Sequence, residues 1–203
     1  MVHHADYTNF SNSSSSSSKR ETLQQVLDAY TALETPYLIS NLSNFASLLW
    51  HAYHSLGINV NWSGFYIDHQ YQISNVKIGN DHNSIETEGT SSTPKLLILG
   101  PFHGKVACQS IQWGKGVCGT AASTAETQVV PNIDEFPGHI ACDGETKSEI
   151  VVPIKVNMPE SVEKTLSSVV VGVIDLDCLD LNGFDDIDKE YLEQLAKLLS
   201  KSF

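Results

Sequence analysis

Of the four cysteines in this chain, Cys108, Cys118 and Cys142 lie close together, each set among small residues. Cys118 sits in Gly116-Val117-Cys118-Gly119-Thr120-Ala121-Ala122, and Cys142 in Ile140-Ala141-Cys142-Asp143-Gly144. Small neighbours let a ligand or a second thiol approach a sulfur. Cys118 also falls at the start of a predicted short helix, where the dipole and free N–H groups lower a thiol pKa. Cys178, on the apolar face of its strand, reads as a buried small hydrophobe.

Strand alternation supplies a second group. In the run ending near 178, Val173, Asp175 and Asp177 share one face, while Ile174, Leu176 and Cys178 share the other. Glu149 lies opposite Ile150, Val152 and Ile154. Trp62, Gly64 and Tyr66 alternate with Ser63, Phe65 and Ile67. Carboxylates inside so apolar a run are costly to bury without partners. Three acids beside an aromatic pair would suit a small ligand carrying a cationic amine. Plainer readings stand beside this one: the cysteines and aromatics as core, and Asp175 and Asp177 as a strand end entering water. His139 with the three clustered cysteines could form a Cys₃His zinc set, but the spacing lacks a C-x₂-C knuckle.

The elements that must position these groups follow from periodicity. Residues 1–19, nearly all serine over 11–18, are predicted as a disordered tail ahead of one domain at 20–203. Leu23, Val26, Leu27, Tyr30 and Leu33 recur at helical spacing. A second helix runs from Ser40, an N-cap residue type, to Gly57, with Leu42, Phe45, Leu49, Tyr53 and Leu56 on its apolar face. Strands are predicted at 60–67, 96–99, 106–112, 128–130, 149–155 and 169–177, with a short helix over 117–123. Residues 68–94, polar and without periodicity, read as a surface insertion. A last helix over 185–200 turns Ile187, Tyr191, Leu195 and Leu198 to one side. Helices at both ends of a run of strands give an α+β fold with a mainly antiparallel sheet.

With 203 residues the chain can bury one sizeable core. Twelve Lys and Arg against 24 Asp and Glu leave a net charge of −12, which argues against nucleic acid and anionic membrane surfaces. No run reaches membrane-spanning length, and Met1 to Arg20 has no apolar core of a secretory signal. The expected location is the cytoplasm, with the nucleus as a second compartment, and the cysteines are expected as thiols.

The segments Gly100-Pro101-Phe102, Gly104-Lys105-Val106-Ala107-Cys108, Gly114-Lys115-Gly116-Val117-Cys118-Gly119, Pro137-Gly138-His139-Ile140-Ala141-Cys142-Asp143, Ser148-Glu149-Ile150-Val151-Val152-Pro153 and Gly172-Val173-Ile174-Asp175-Leu176-Asp177 together resemble the free methionine-R-sulfoxide reductase family. Asn61-Trp62-Ser63-Gly64-Phe65-Tyr66 resembles its first strand. The likeness covers about 21–201, and the serine-rich tail and 68–94 depart from it. It implies a GAF-domain fold and thiol-dependent reduction of the R-sulfoxide of free methionine. A thiolate attacks the sulfoxide sulfur, the oxygen is protonated, a sulfenic acid remains, and a second cysteine condenses to a disulfide that thioredoxin reduces. Carried to matching positions, Cys142 is the nucleophile, Cys108 its disulfide partner, and Cys118 the rival nucleophile or a relay thiol. Glu149, Asp175 and Asp177 hold the ammonium and assist protonation, Trp62 and Tyr66 wall the pocket, and helix N–H groups near Cys118 receive the carboxylate. No metal or organic cofactor is implied. Monomer and homodimer both remain open. The rival class is a GAF-type sensor that binds without turnover, usually joined to an output domain that a chain ending at Phe203 would lack.

Overall fold

The computed structural model describes residues 10, 16–70, 95–138, 143–157 and 168–203. In chain order these form α1 (Ser16–Leu33), α2 (Leu38–Ser55), β1 (Val60–Asp68), β2 (Leu96–Gly104), β3 (Ser110–Gln112), α3 (Gly116–Thr124), β4 (Gln128–Val130), β5 (Ser148–Asn157), β6 (Ser168–Cys178) and α4 (Asp186–Leu199), with 3₁₀ turns at Ile133–Glu135 and Ser200–Ser202. The six strands make one sheet in the order β3-β2-β1-β6-β5-β4, antiparallel at every pairing. The fold is α+β, as the element pattern predicts.

The two-residue alternation of the strands divides the core. Phe65, Ile67, Ile150, Val152, Ile154, Ile174, Leu176 and Cys178 point to one face, where α1, α2 and α4 cover them. Leu23, Val26 and Tyr30 of α1 and Phe45, Leu49 and Tyr53 of α2 pack there, as their helical spacing predicts. Trp62, Tyr66, Val151 and Val173 point to the other face, against α3. Among the described residues no helix is long and apolar enough to cross a membrane.

Several boundaries differ from the pattern. Helix α1 reaches back to Ser16, inside the stretch predicted as tail, and Phe10 is buried against the helical core. The reason is a tertiary anchor: Lys19 Nζ donates to Asp185 Oδ2 at 3.1 Å and also to Asp188, joining α1 to the start of α4. The remaining tail residues, 1–9 and 11–15, lie outside the described residues. Helix α2 begins at Leu38 after Tyr37, so Ser40 is inside the helix rather than capping it. Gly57 ends it as expected, at φ +71°.

The buried stripe of α4 is centred on Leu192, Leu195 and Leu199, with Ile187, Tyr191 and Leu198 only partly covered. Asp188 begins that stripe at zero exposure. An acid at its head rotates the face away from what hydrophobicity alone predicts. β2 runs on through Pro101 to Gly104 because only Leu96–Ile98 pair with β3, leaving Pro101 on an open edge where it owes no N–H. Correspondingly, the third strand shrinks to Ser110–Gln112. Of the predicted 68–94 insertion, 71–94 lies outside the described residues.

Candidate active site

The sheet register brings the site together. Glu149 on β5 lies beside Asp177 on β6, which lies beside Trp62 on β1; one step along, Asp175 lies beside Gly64. Because these residues occupy one face and neighbouring strands are about 4.8 Å apart, their side chains converge on one side of the sheet. There they line a cavity of about 320 Å³ with Tyr66, Cys108, the first turn of α3 including Cys118, Asp143 and Thr146.

Two glycines make the arrangement possible. A Cβ on Gly64 would stand 2.4 Å from Phe102 Cβ and 2.7 Å from the Trp62 ring. Its absence lets the Trp62 ring stack between Tyr66 and Phe102, at centroid separations of 5.7 and 5.3 Å. A Cβ on Gly119 would come 2.3 Å from the Gln112 carbonyl oxygen, so glycine there lets α3 abut the strand before it. Gly114 N–H donates to the Gly119 carbonyl at 2.7 Å. The N–H groups of the first turn of α3, which a helix leaves without internal acceptors, thereby stand at the cavity.

The aromatic pair, predicted as a pocket wall, also holds the cysteine-bearing loop. Trp62 Nε1 donates to the Lys105 carbonyl and the Tyr66 hydroxyl to the Cys108 carbonyl, each at 3.1 Å. Burial, reinforced by Asp175, pushes the Tyr66 phenol far up and keeps it a donor. The segment leading into β5 is tied as well. Asn61 Nδ2 donates to Thr146 Oγ1 at 2.9 Å and to Asp143 Oδ2 at 3.3 Å. Lys105 Nζ stands 3.6 Å from Asp143 Oδ2 and also pairs with Glu145. The Glu145 backbone N–H, with help from Asn61 and Lys105, holds the Asp143 carboxyl below its ordinary range. Sequence reasoning passed over Asn61, Lys105 and Thr146. The usable signal was charge: Lys105 precedes Cys108 by three positions, and Asp143 follows Cys142.

The thiols divide sharply. Cys108 is disulfide-bonded and lines the cavity. Cys142 and His139 lie outside the described residues. Cys178 is fully buried on the helical side of the sheet, remote from the cavity. Cys118 is the third residue of α3, 4% exposed, with its sulfur 3.9 Å from Glu149 Oε1. Its thiol is pushed well up, by burial first and then by Asp175 and Glu149. This corrects the expectation of a lowered pKa: the helix start is there, but desolvation and two adjacent carboxyls outweigh its dipole.

The three acids are all raised. Glu149 and Asp175 are 7% and 5% exposed. Burial raises Glu149 well above the carboxylate range, with Asp175 and Asp177 adding to it. Asp175 rises to about 7 through burial, restrained by hydrogen bonds from Cys118 and Glu149. Asp177 is raised by burial and by Asp175. Among the described residues none of the three has an ion-pair partner, and Asp175 Oδ1 accepts no hydrogen bond. The Cys118 sulfur and one oxygen each of Glu149 and Asp175 lie within 4.8 Å of one another, so they could also hold a metal ion. A cavity with a shielded acid pair, helix N–H groups and a disulfide-forming thiol can bind an amino acid, deliver a proton and accept oxidation.

Comparison with known proteins agrees with that chemistry. The GAF domain family matches residues 21–203. The free methionine-R-sulfoxide reductase of Saccharomyces cerevisiae is 52% identical over 202 residues, 98% of this chain and 94% of that protein. A solved GAF domain is 50% identical at a TM-score of 0.76, covering 99% of this chain and 96% of its own. Free methionine-R-sulfoxide reductase from Neisseria meningitidis, solved in complex with its substrate, is 32% identical at a TM-score of 0.67, covering 96% and 93%.

Proposed function

The chain belongs to the GAF-domain family and, within it, to the free methionine-R-sulfoxide reductases, and from that premise we propose that it reduces free L-methionine (R)-S-oxide to methionine with its own thiols. The observation that carries the reading is the single cavity shared by Cys108, Cys118, the three acids and the aromatic pair. Asp175 and Asp177 take the substrate ammonium through charge-assisted hydrogen bonds, and the first turn of α3 takes the carboxylate. A peptide bond would remove both charges, which restricts the site to the free amino acid.

Protonated Glu149 donates to the sulfoxide oxygen, which is a poor acceptor of electrons until it carries a proton. The Cys142 thiolate attacks the sulfoxide sulfur. The hydroxyl then passes from the methionine sulfur to the Cys142 sulfur as the S–O bond and the transient S–S bond break, methionine leaves with the electron pair, and Cys142 is left as a sulfenic acid. The Cys108 thiol then attacks that sulfur, forming the disulfide and releasing water. Cys108 is held for this step by Tyr66, whose hydroxyl bonds the Cys108 carbonyl. A thioredoxin-type dithiol returns the pair to thiols by exchange. Cys118, buried among acids, stays a thiol and supports Glu149 rather than attacking substrate.

The test is thioredoxin-coupled NADPH oxidation with the two sulfoxide epimers offered separately. Turnover of the R epimer alone, with N-acetylated methionine sulfoxide inert, is expected. Equal turnover of the acetylated compound overturns the assignment of the acids to the ammonium. Binding of methionine sulfoxide without any turnover would favour a sensor instead.

A further inference from the structure

We propose that Cys118, Glu149 and Asp175 form a binding site for a thiophilic divalent cation of the zinc type, reached from the cavity. The three donor atoms lie within 4.8 Å of one another, on three elements that pack against each other: α3, β5 and β6. Tetrahedral zinc with one sulfur and two oxygen ligands sets those atoms roughly 3.3–3.6 Å apart. Cys118 Sγ and Glu149 Oε1, at 3.9 Å, need to close by only a few tenths of an ångström.

An independent feature points to a cation. Asp175 is 5% exposed, lines the cavity, and its Oδ1 has no hydrogen-bond donor among the described residues. A buried carboxylate oxygen left without a donor is costly, and a cation would satisfy it. Neither lysine of this region pairs with it among the described residues: Lys105 is engaged with Asp143 and Glu145, and Lys115, which lines the cavity, forms no ion pair with Asp175. The sulfur decides the class of ion. Magnesium and calcium take oxygen ligands, whereas one sulfur with two carboxylates fits zinc or its analogue cadmium. Three protein donors leave a fourth position open to the cavity, for water or another small ligand.

The site uses none of the thiols assigned to turnover, so it exists while Cys108 is in its disulfide. Its consequence rests on the function proposed above: an ion on Asp175 takes the place of the substrate ammonium and opposes substrate binding.

The experiment uses the full chain with the disulfide intact, where Cys118 and Cys178 are the free cysteines among the described residues. Cadmium is titrated while the ultraviolet thiolate-to-cadmium band is followed, and zinc affinity is measured by calorimetry. One ion per chain is expected, with the band kept in Cys178→Ser and lost in Cys118→Ser. Asp175→Asn and Glu149→Gln, which keep the thiol, should each weaken zinc by at least about tenfold, since even outer partners of metal ligands cost that much. A band that survives in Cys118→Ser or vanishes in Cys178→Ser overturns the site, as does unchanged zinc affinity in both acid variants. The binding arm needs no substrate. A protein that binds cadmium through Cys118 but reduces no sulfoxide leaves the site standing and removes the function; an active protein that binds neither metal removes the site alone. In the active protein, zinc should raise the apparent KM for methionine sulfoxide, and an effect on kcat alone overturns the competition.

Discussion

Two buried acids, Asp188 and Asp175, meet opposite fates in this molecule. Asp188, at the start of α4, is fully enclosed and fully answered. Lys19 donates to Oδ2, the Tyr53 hydroxyl donates to Oδ1 at 2.8 Å, and the Asp185 N–H donates to Oδ2 at 2.7 Å. Asp175 is almost as deep, yet among the described residues Oδ1 accepts no hydrogen bond and the carboxylate has no ion-pair partner. Burial raises both carboxyls; Lys19 pulls Asp188 back, while Asp175 goes up to about 7. An acid whose partners come from its own chain ties elements together. One left without a donor at the wall of a cavity is held for something that arrives. The first kind belongs to stability and the second to chemistry, and substitutions should separate them.

The largest effect belongs to the cavity. Cys142→Ser should lower turnover by several orders of magnitude, as loss of a nucleophile does, with the thermal melt unchanged when both proteins are compared fully reduced. Retained activity would pass the nucleophile role to Cys118, despite its burial beside two acids.

Next comes the enclosed acid. Asp188→Asn removes the counter-charge of Lys19, and breaking a buried pair costs about 3–5 kcal/mol. Lys19 keeps Asp185 within reach, so the lower end, about 3 kcal/mol, is expected from denaturant melts. Turnover of the folded fraction should be unchanged. The same exchange at the open acid should do the reverse. Asp175→Asn should lower kcat/KM by at least about tenfold, the worth of one charge-assisted hydrogen bond, while stability at neutral pH holds or rises. If both variants lose stability alike, the distinction between the two acids fails.

How far this contrast was legible in the sequence depends on which physical signal each acid leaves. Alternation along β6 set Asp175 and Asp177 on the face away from Ile174 and Leu176, and two-residue periodicity needs no tertiary knowledge. Register does need it. No local signal pairs Asp177 with both Glu149 and Trp62, because hydrogen bonding between strands is indifferent to the side chains it aligns. Asp188 was invisible for the same reason in reverse. An acid on a helix reads as solvent-facing until Lys19, far away in the chain, is seen to reach it. That contact also carries α1 back to Ser16, where composition alone predicts a tail. Cys118 misled because its local cue, a helix start, was real but weaker than two carboxyls supplied by β5 and β6. Pro101, normally a strand breaker, was tolerated because the strand edge there was open.

The smallest effect expected, and the most specific to the comparison, is in stability against pH. Unfolded, Asp175 titrates near the ordinary value of about 3.9. Folded, it titrates at about 7. Between these values the folded chain binds a proton that the unfolded chain has released, so stability falls as pH rises. The contribution is complete below about pH 4 and gone above about pH 7, with Glu149 and Asp177, both raised, extending the decline upward. This is opposite in sign to Asp185, whose carboxyl is lowered through Lys19 and the α4 N–H groups and whose contribution is therefore lost as pH falls. With a chelator present to keep the cavity free of cations, denaturant melts from pH 4 to 8 should show a decline that Asp175→Asn makes shallower. Methionine should flatten it as well, because its ammonium favours the ionised acid and binds more tightly as pH rises. An unchanged slope in Asp175→Asn would mean that water already answers the open carboxylate, and the difference between Asp175 and Asp188 would then be one of degree.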